Sequence, residues 1–221
     1  DLLRDVVTYE AGVGRSNAGA ATLGELFTRQ RREDWNEAHT GHDHDFRGNY
    51  GVAPLFARPE LVDGQGRVLL TAPPGPGPTG PNLVSTYDLA RLTAMAAWHM
   101  HLRQDARLAG AQWRALDDVL VAMGRDPARY VDVAVDALGV TERVSDLAVA
   151  SKLGYGVRSA TGLPEIVYAG ALTFVDAGTT PPTQRHVAFT LRGTHADPSV
   201  LDARMAEAVT ELLRRLLDED L

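Results

Sequence analysis

The chain has no cysteine, one lysine and few aromatic residues, which make up 6% of its 221 positions. Without cysteine there are no disulfides and no thiol chemistry, and the redox compartment cannot be read from the sequence. No apolar run approaches the roughly 20 residues that a membrane-spanning helix needs. The formal net charge of −7 carries no basic excess, and the arginines are scattered among acids. That argues against a nucleic-acid partner. What is present is a 44% apolar content, enough to bury a core for one domain or one domain with two lobes.

Lys152 is the only lysine among 22 basic residues. A chain that writes arginine almost everywhere keeps lysine in "SKLGYG". An ammonium is compact and gives up its proton when desolvated, which a guanidinium does not. The competing reading is a charge on an exposed edge strand that discourages sheet-to-sheet pairing.

Periodicity orders the chain. Residues 1–20 end in "GVGRSNAGAAT", a Gly/Ala-rich polar stretch that reads as loop. "TLGELFTRQRREDW" then reads as a helix, with Thr22 and Glu25 forming a capping box. Residues 39–84 read as a long excursion with a short strand at "RVLLT" (67–71) and a Pro-rich run at 72–82. "STYDLARLTAMAAWHMHL" (85–102) predicts a helix capped by Ser85 or Thr86, and further helices follow near 113–123 and 127–137. Three β-rich runs, 147–159, 165–176 and 185–193, predict an antiparallel meander. The end predicts a helix capped by Asp197 with Pro198 in its first turn, and Leu201, Met205, Val209, Leu212 and Leu216 turned inward. The expected class is α+β: a helical lobe over 1–145 with the loop 39–84, then strands and a C-terminal helix over 146–221.

This order, with Lys152-Leu153-Gly154 on the first strand, resembles the serine β-lactamases and penicillin-binding DD-peptidases. "TLGELFTRQRREDWNEA" is similar to the helix that leads into that family's Ser-x-Asn loop, with Asn36 where the asparagine stands. "STYDLARL" resembles a later helix that opens on a Thr/Ser cluster. The resemblance implies a β-lactamase/transpeptidase-like fold and acyl transfer on a carboxylate-bearing amide or ester, such as a β-lactam or a peptidoglycan peptide. By carry-over Lys152 anchors the substrate carboxylate, Gly154 permits close approach, and the N–H of Tyr155 is an oxyanion donor. Asn36 hydrogen-bonds the substrate amide, and Asp34 accepts or relays a proton. No cofactor is implied. A secreted or periplasmic location follows if the resemblance holds.

The departures are specific. Leu153 replaces a hydroxyl that grips the carboxylate. Asp34 replaces the serine of Ser-x-Asn. "GRVLLTAPPGPG" offers no deacylating glutamate, which turns the expectation towards a DD-peptidase or esterase-like member. No Ser-x-x-Lys occurs. The family places it upstream, so the expected nucleophile lies on an N-terminal segment or a separate chain completing the fold. The expected partner is a small-molecule or peptide substrate.

Two alternatives come from other classes. One is a non-catalytic binding protein on the same scaffold. The other is a metal-dependent hydrolase using "HTGHDHD", where His39, His42, His44, Asp43 and Asp45 offer ligand types that suit zinc. Ordinary readings stand beside these: Asn36 as a turn or cap residue, Asp34 as a solvated loop acid or the partner of a nearby arginine, the loop histidines as solvated groups, His99 and His101 as packing or interface residues.

Overall fold

The computed structural model describes residues 2–47, 52–73, 82–158 and 160–219. The Pro-rich stretch at 74–81 lies outside the described residues. The chain is α+β and divides into two compact units, residues 1–88 and 89–221. Among the described residues no helix is long and apolar enough to cross a membrane.

The first unit opens with two helices, α1 (Leu2–Thr8) and α2 (Val13–Leu26), the second of them where the Gly/Ala-rich stretch reads as loop. The Gly/Ala run is a close helix–helix contact. A Cβ on Gly19 would sit 2.9 Å from the side chains of both Leu2 and Val6, so the small residues are what let α1 lie against α2. Gly12, at φ 87°, makes the turn between them. The expected capping box does not form, because Thr22 is inside α2. Its hydroxyl donates to the Ala18 carbonyl at 2.8 Å and accepts the N–H of Leu55 at 2.9 Å.

The chain breaks at Phe27–Thr28 and resumes as α3 (Arg29–Thr40). Ion pairing one turn apart, Arg29 to Glu33 at 2.6 Å, supports α3, and Gly41 ends it in the left-handed region. Two small antiparallel ladders follow. β1 (Asp45–Phe46) pairs with β4 (Asn82–Leu83), and β2 (Glu60–Val62) pairs with β3 (Val68–Thr71), the strand expected from "RVLLT". The unit ends in the first turn of α4 (Thr86–Ala97).

In the second unit α5 (Trp113–Met123) and α6 (Tyr130–Leu138) precede the expected meander. Its strands are β5 (Val144–Val157), β6 (Pro164–Asp176) and β7 (Thr183–Thr194), in the order β5-β6-β7. Residues 89–145, read from the sequence with the helical lobe, cluster here with the strands. The cause is the apolar stripe of α6, where Tyr130, Val131, Ala134 and Val135 join one core with the sheet and the last helix. That helix is α7 (Pro198–Asp218), with Asp197 accepting the N–H groups of Ser199 at 2.8 Å and Val200 at 3.4 Å. Leu201, Met205 and Val209 are buried as expected. Leu213 and Leu217 continue the fully buried stripe, because steps of four from Val209 stay on one face; Leu212 packs half-buried against the same core as expected, and Leu216 is half-buried.

Strand alternation gives the sheet two different faces. Tyr168, Leu172, Phe174, Phe189 and, more peripherally, Leu153 pack into the core. On the opposite face the register lines up Lys152, Ala169 and Thr190 across the three strands, with Ala150, Ala171 and Ala188 beside them. One face is therefore a packed core. The other is paved with small side chains and carries the single lysine.

Candidate functional site

Lys152 sits on β5, a strand at the margin of its sheet, and is half-buried. Burial pushes its ammonium down to about 8, against the pull of the Asp126 carboxylate, which favours the charge. Its Nζ donates to the Leu153 carbonyl. Near neutral pH this amine is mostly charged and sits in a poorly solvated place, where an incoming carboxylate would find a strong partner.

Asp126 was not legible as a site residue. It follows α5 in "GRDPAR" and is 2% exposed. One oxygen accepts the N–H of Ala128 at 3.1 Å, an Asx-type turn, and the other accepts the N–H of Leu153 at 2.6 Å. Burial raises its carboxyl above the ordinary value, and the two backbone donors, Lys152 and Ser151 only partly offset that. Ser151 is buried too, and it interacts with the phenol of Tyr168 as well as with Asp126. The one hint in the sequence was the Asp-Pro step, which also stands at Asp197-Pro198.

The carried-over strand residues divide by geometry. Leu153 is a core residue: its side chain lies on the packed face, because neighbours in a strand point opposite ways. Only its backbone belongs to the site. Gly154 and Gly156 share the face of Lys152. A Cβ at Gly154 would meet nothing closer than the Val167 carbonyl at 3.7 Å, and one at Gly156 nothing within 4 Å. Neither packing nor a left-handed backbone demands these glycines, so they leave the face beside the lysine bare. By the same alternation the N–H of Tyr155, two residues after Leu153, points to the outer margin of β5. Its side chain is exposed.

Asn36 and Asp34 belong to the first unit and are not in a loop. Both lie inside α3, where Asn36 Nδ2 donates to the Arg32 carbonyl at 2.7 Å and Asp34 accepts from Gln30 at 2.6 Å. The expected Ser-x-Asn-like loop is continuous helix, because residues 29–40 have good helix formers and one-turn pairs.

The histidine run does not converge. His39 turns back along α3, with Nδ1 2.6 Å from the Trp35 carbonyl and its ring 4.2 Å from that of Trp35. His42 and His44 instead flank Asp88, with Nδ1 of His42 at 2.8 Å and Nε2 of His44 at 3.4 Å. Burial pushes the Asp88 carboxyl up, but Ser85 and the two imidazoles outweigh it and hold it below the ordinary value. Asp43 and Asp45 stay outside, and Asp45 pairs with Arg47. Among the described residues no group of three or more His, Asp or Glu side chains is placed to hold a metal ion. Asp88 fastens this corner instead. The Ser85 hydroxyl accepts the Asp88 N–H at 3.0 Å and donates to its carboxylate at 2.7 Å, capping α4. Ser85→Ala is expected to lower stability by about 1–2 kcal/mol, read from the urea midpoint.

His99 is buried and packed, His101 is exposed, and the ring of Trp98 meets His186 edge-on at 5.9 Å. Compared with protein-family models, curated proteins and solved structures, the chain matches none.

Proposed function

We propose that the chain is a serine β-lactamase/DD-peptidase-type unit that engages a carboxylate-bearing amide or ester through Lys152. The observation that carries this reading is the desolvated lone lysine on an edge strand, facing a sheet surface kept bare by Gly154 and Gly156. A substrate carboxylate laid there adds to the pull of Asp126 and offsets the solvation that burial took from the ammonium, and the outward N–H of Tyr155 supplies a donor to the adjoining carbonyl oxygen. The attacking hydroxyl is not assigned to any residue of this chain.

A second reading, ligand binding without acyl transfer, is favoured by two observations. Asp34 and Asn36 are engaged in hydrogen bonds within α3, and Leu153 has its side chain in the core.

Because the chain has one lysine, isotopic labelling of lysine gives a single side-chain signal, which reads this site alone. Titration with benzylpenicillin and with a peptide ending in D-alanyl-D-alanine is expected to shift that signal and raise its midpoint from about 8. Lys152→Ala is expected to weaken binding about tenfold or more. An unmoved midpoint at saturation, with equal binding by the variant, would sink the proposal. Fluorescent penicillin separates the two readings: label that survives denaturation means acyl transfer, and label released on denaturation means binding alone.

A further inference from the structure

The first unit contains a cavity of about 500 Å³ between α1, α2 and α3. Its walls are mainly apolar, with Leu23, Phe27 and Trp35 contributing, and its polar groups are Arg31, Arg32 and Asn36. The size falls within the roughly 300–1,000 Å³ of small-molecule sites, and so does the pattern of apolar walls with a few convergent polar groups. Phe27 and Trp35 remain 39% and 42% exposed, large apolar surfaces left open to solvent.

The charges along α3 are distributed unevenly. Arg29 is matched by Glu33, and Gln30 by Asp34. Arg31 and Arg32, the two that line the cavity, have no carboxylate partner among the described residues. Arg32 is also held in place: Nη2 donates to the Phe46 carbonyl at 3.3 Å, and the guanidinium lies 5.8 Å from the centre of the Phe46 ring. Its Nε–H is nonetheless buried without a hydrogen-bond acceptor. A buried donor left unsatisfied is uncommon, and it calls for an acceptor that the described residues do not supply.

From this juxtaposition we infer that the cavity is a binding site for an apolar carboxylic acid, its hydrocarbon body against Leu23, Phe27 and Trp35 and its carboxylate against Arg31 and Arg32. A planar carboxylate matches the guanidinium fork and gives the two arginines a shared counter-charge. Asn36 uses one N–H on the Arg32 carbonyl and keeps its second N–H and its Oδ1 for the ligand. The site is built within α1–α3 alone and does not rest on the reading of Lys152.

The test uses the full chain, decanoate, and the uncharged isostere 1-decanol, followed by calorimetry and by tryptophan fluorescence. Decanoate is expected to bind saturably at one per chain, about tenfold or more tighter than 1-decanol. Arg31→Gln and Arg32→Gln are each expected to weaken decanoate and leave 1-decanol unchanged, and Trp35→Phe to remove most of the fluorescence change. Arg31 is exposed, so its variant keeps the test sound if Arg32→Gln does not fold, and urea midpoints report folding for each. Equal affinity for acid and alcohol, no saturable binding of decanoate, or decanoate affinity untouched in a folded Arg31→Gln protein would each overturn the assignment.

Discussion

Lys152→Met is expected to make the protein more stable at pH 7, by about 1–3 kcal/mol, while removing the carboxylate binding proposed for it. The ammonium is held down to about 8 in the folded chain and titrates near its ordinary value when unfolded. Below about pH 8 both states carry the proton, and the folded state bears the full cost of a charge in a poorly solvated place. Between about pH 8 and the ordinary lysine value of roughly 10.4, the unfolded chain binds more protons than the folded one. Wild-type stability therefore rises with pH across that window, and the advantage of the methionine variant fades through it. Urea unfolding of both proteins at pH 7 and pH 10.5 checks this. A variant less stable than wild type at pH 7 would mean that the lysine is retained for packing. Keeping a destabilising charge is ordinary at sites where function opposes stability.

Asp126→Ala is expected to act in the other direction, with a loss of about 2–5 kcal/mol. The substitution takes from the N–H groups of Ala128 and Leu153 the acceptor that the carboxylate gives them, and it takes away the charge that favours the Lys152 ammonium. The single lysine signal should then titrate still lower than about 8, while Asp126→Asn, which keeps one acceptor oxygen, should recover part of the stability. Two readouts moving together identify the pair. A stability loss with an unmoved lysine midpoint would make Asp126 a turn residue only.

The sequence revealed whatever depends on alternation or on a strong cap. The three strands, α7 and its Asp197 cap follow from residues that have one physical role each. The α1–α2 pair was hidden because Gly and Ala are weak signals for a helix surface until a second helix is known to lie on them, as Leu2 and Val6 do on Gly19. Asn36 and Asp34 were drawn into a loop by a short motif, whereas the hydrogen bonds from Gln30 and to the Arg32 carbonyl depend only on one-turn spacing within a helix. At the site, Lys152 stood out because it is unique. Asp126 did not, since its partner Leu153 lies 27 positions later and their pairing depends on where β5 runs.

Asp126 also bears on how the protein keeps to itself. A strand of 14 residues at a sheet margin offers a row of amide groups to any extended chain, including another copy, and is a template for aggregation. A carboxylate already seated on one of those amides interrupts the row, so a visiting strand would have to displace a short hydrogen bond before it could zip along β5.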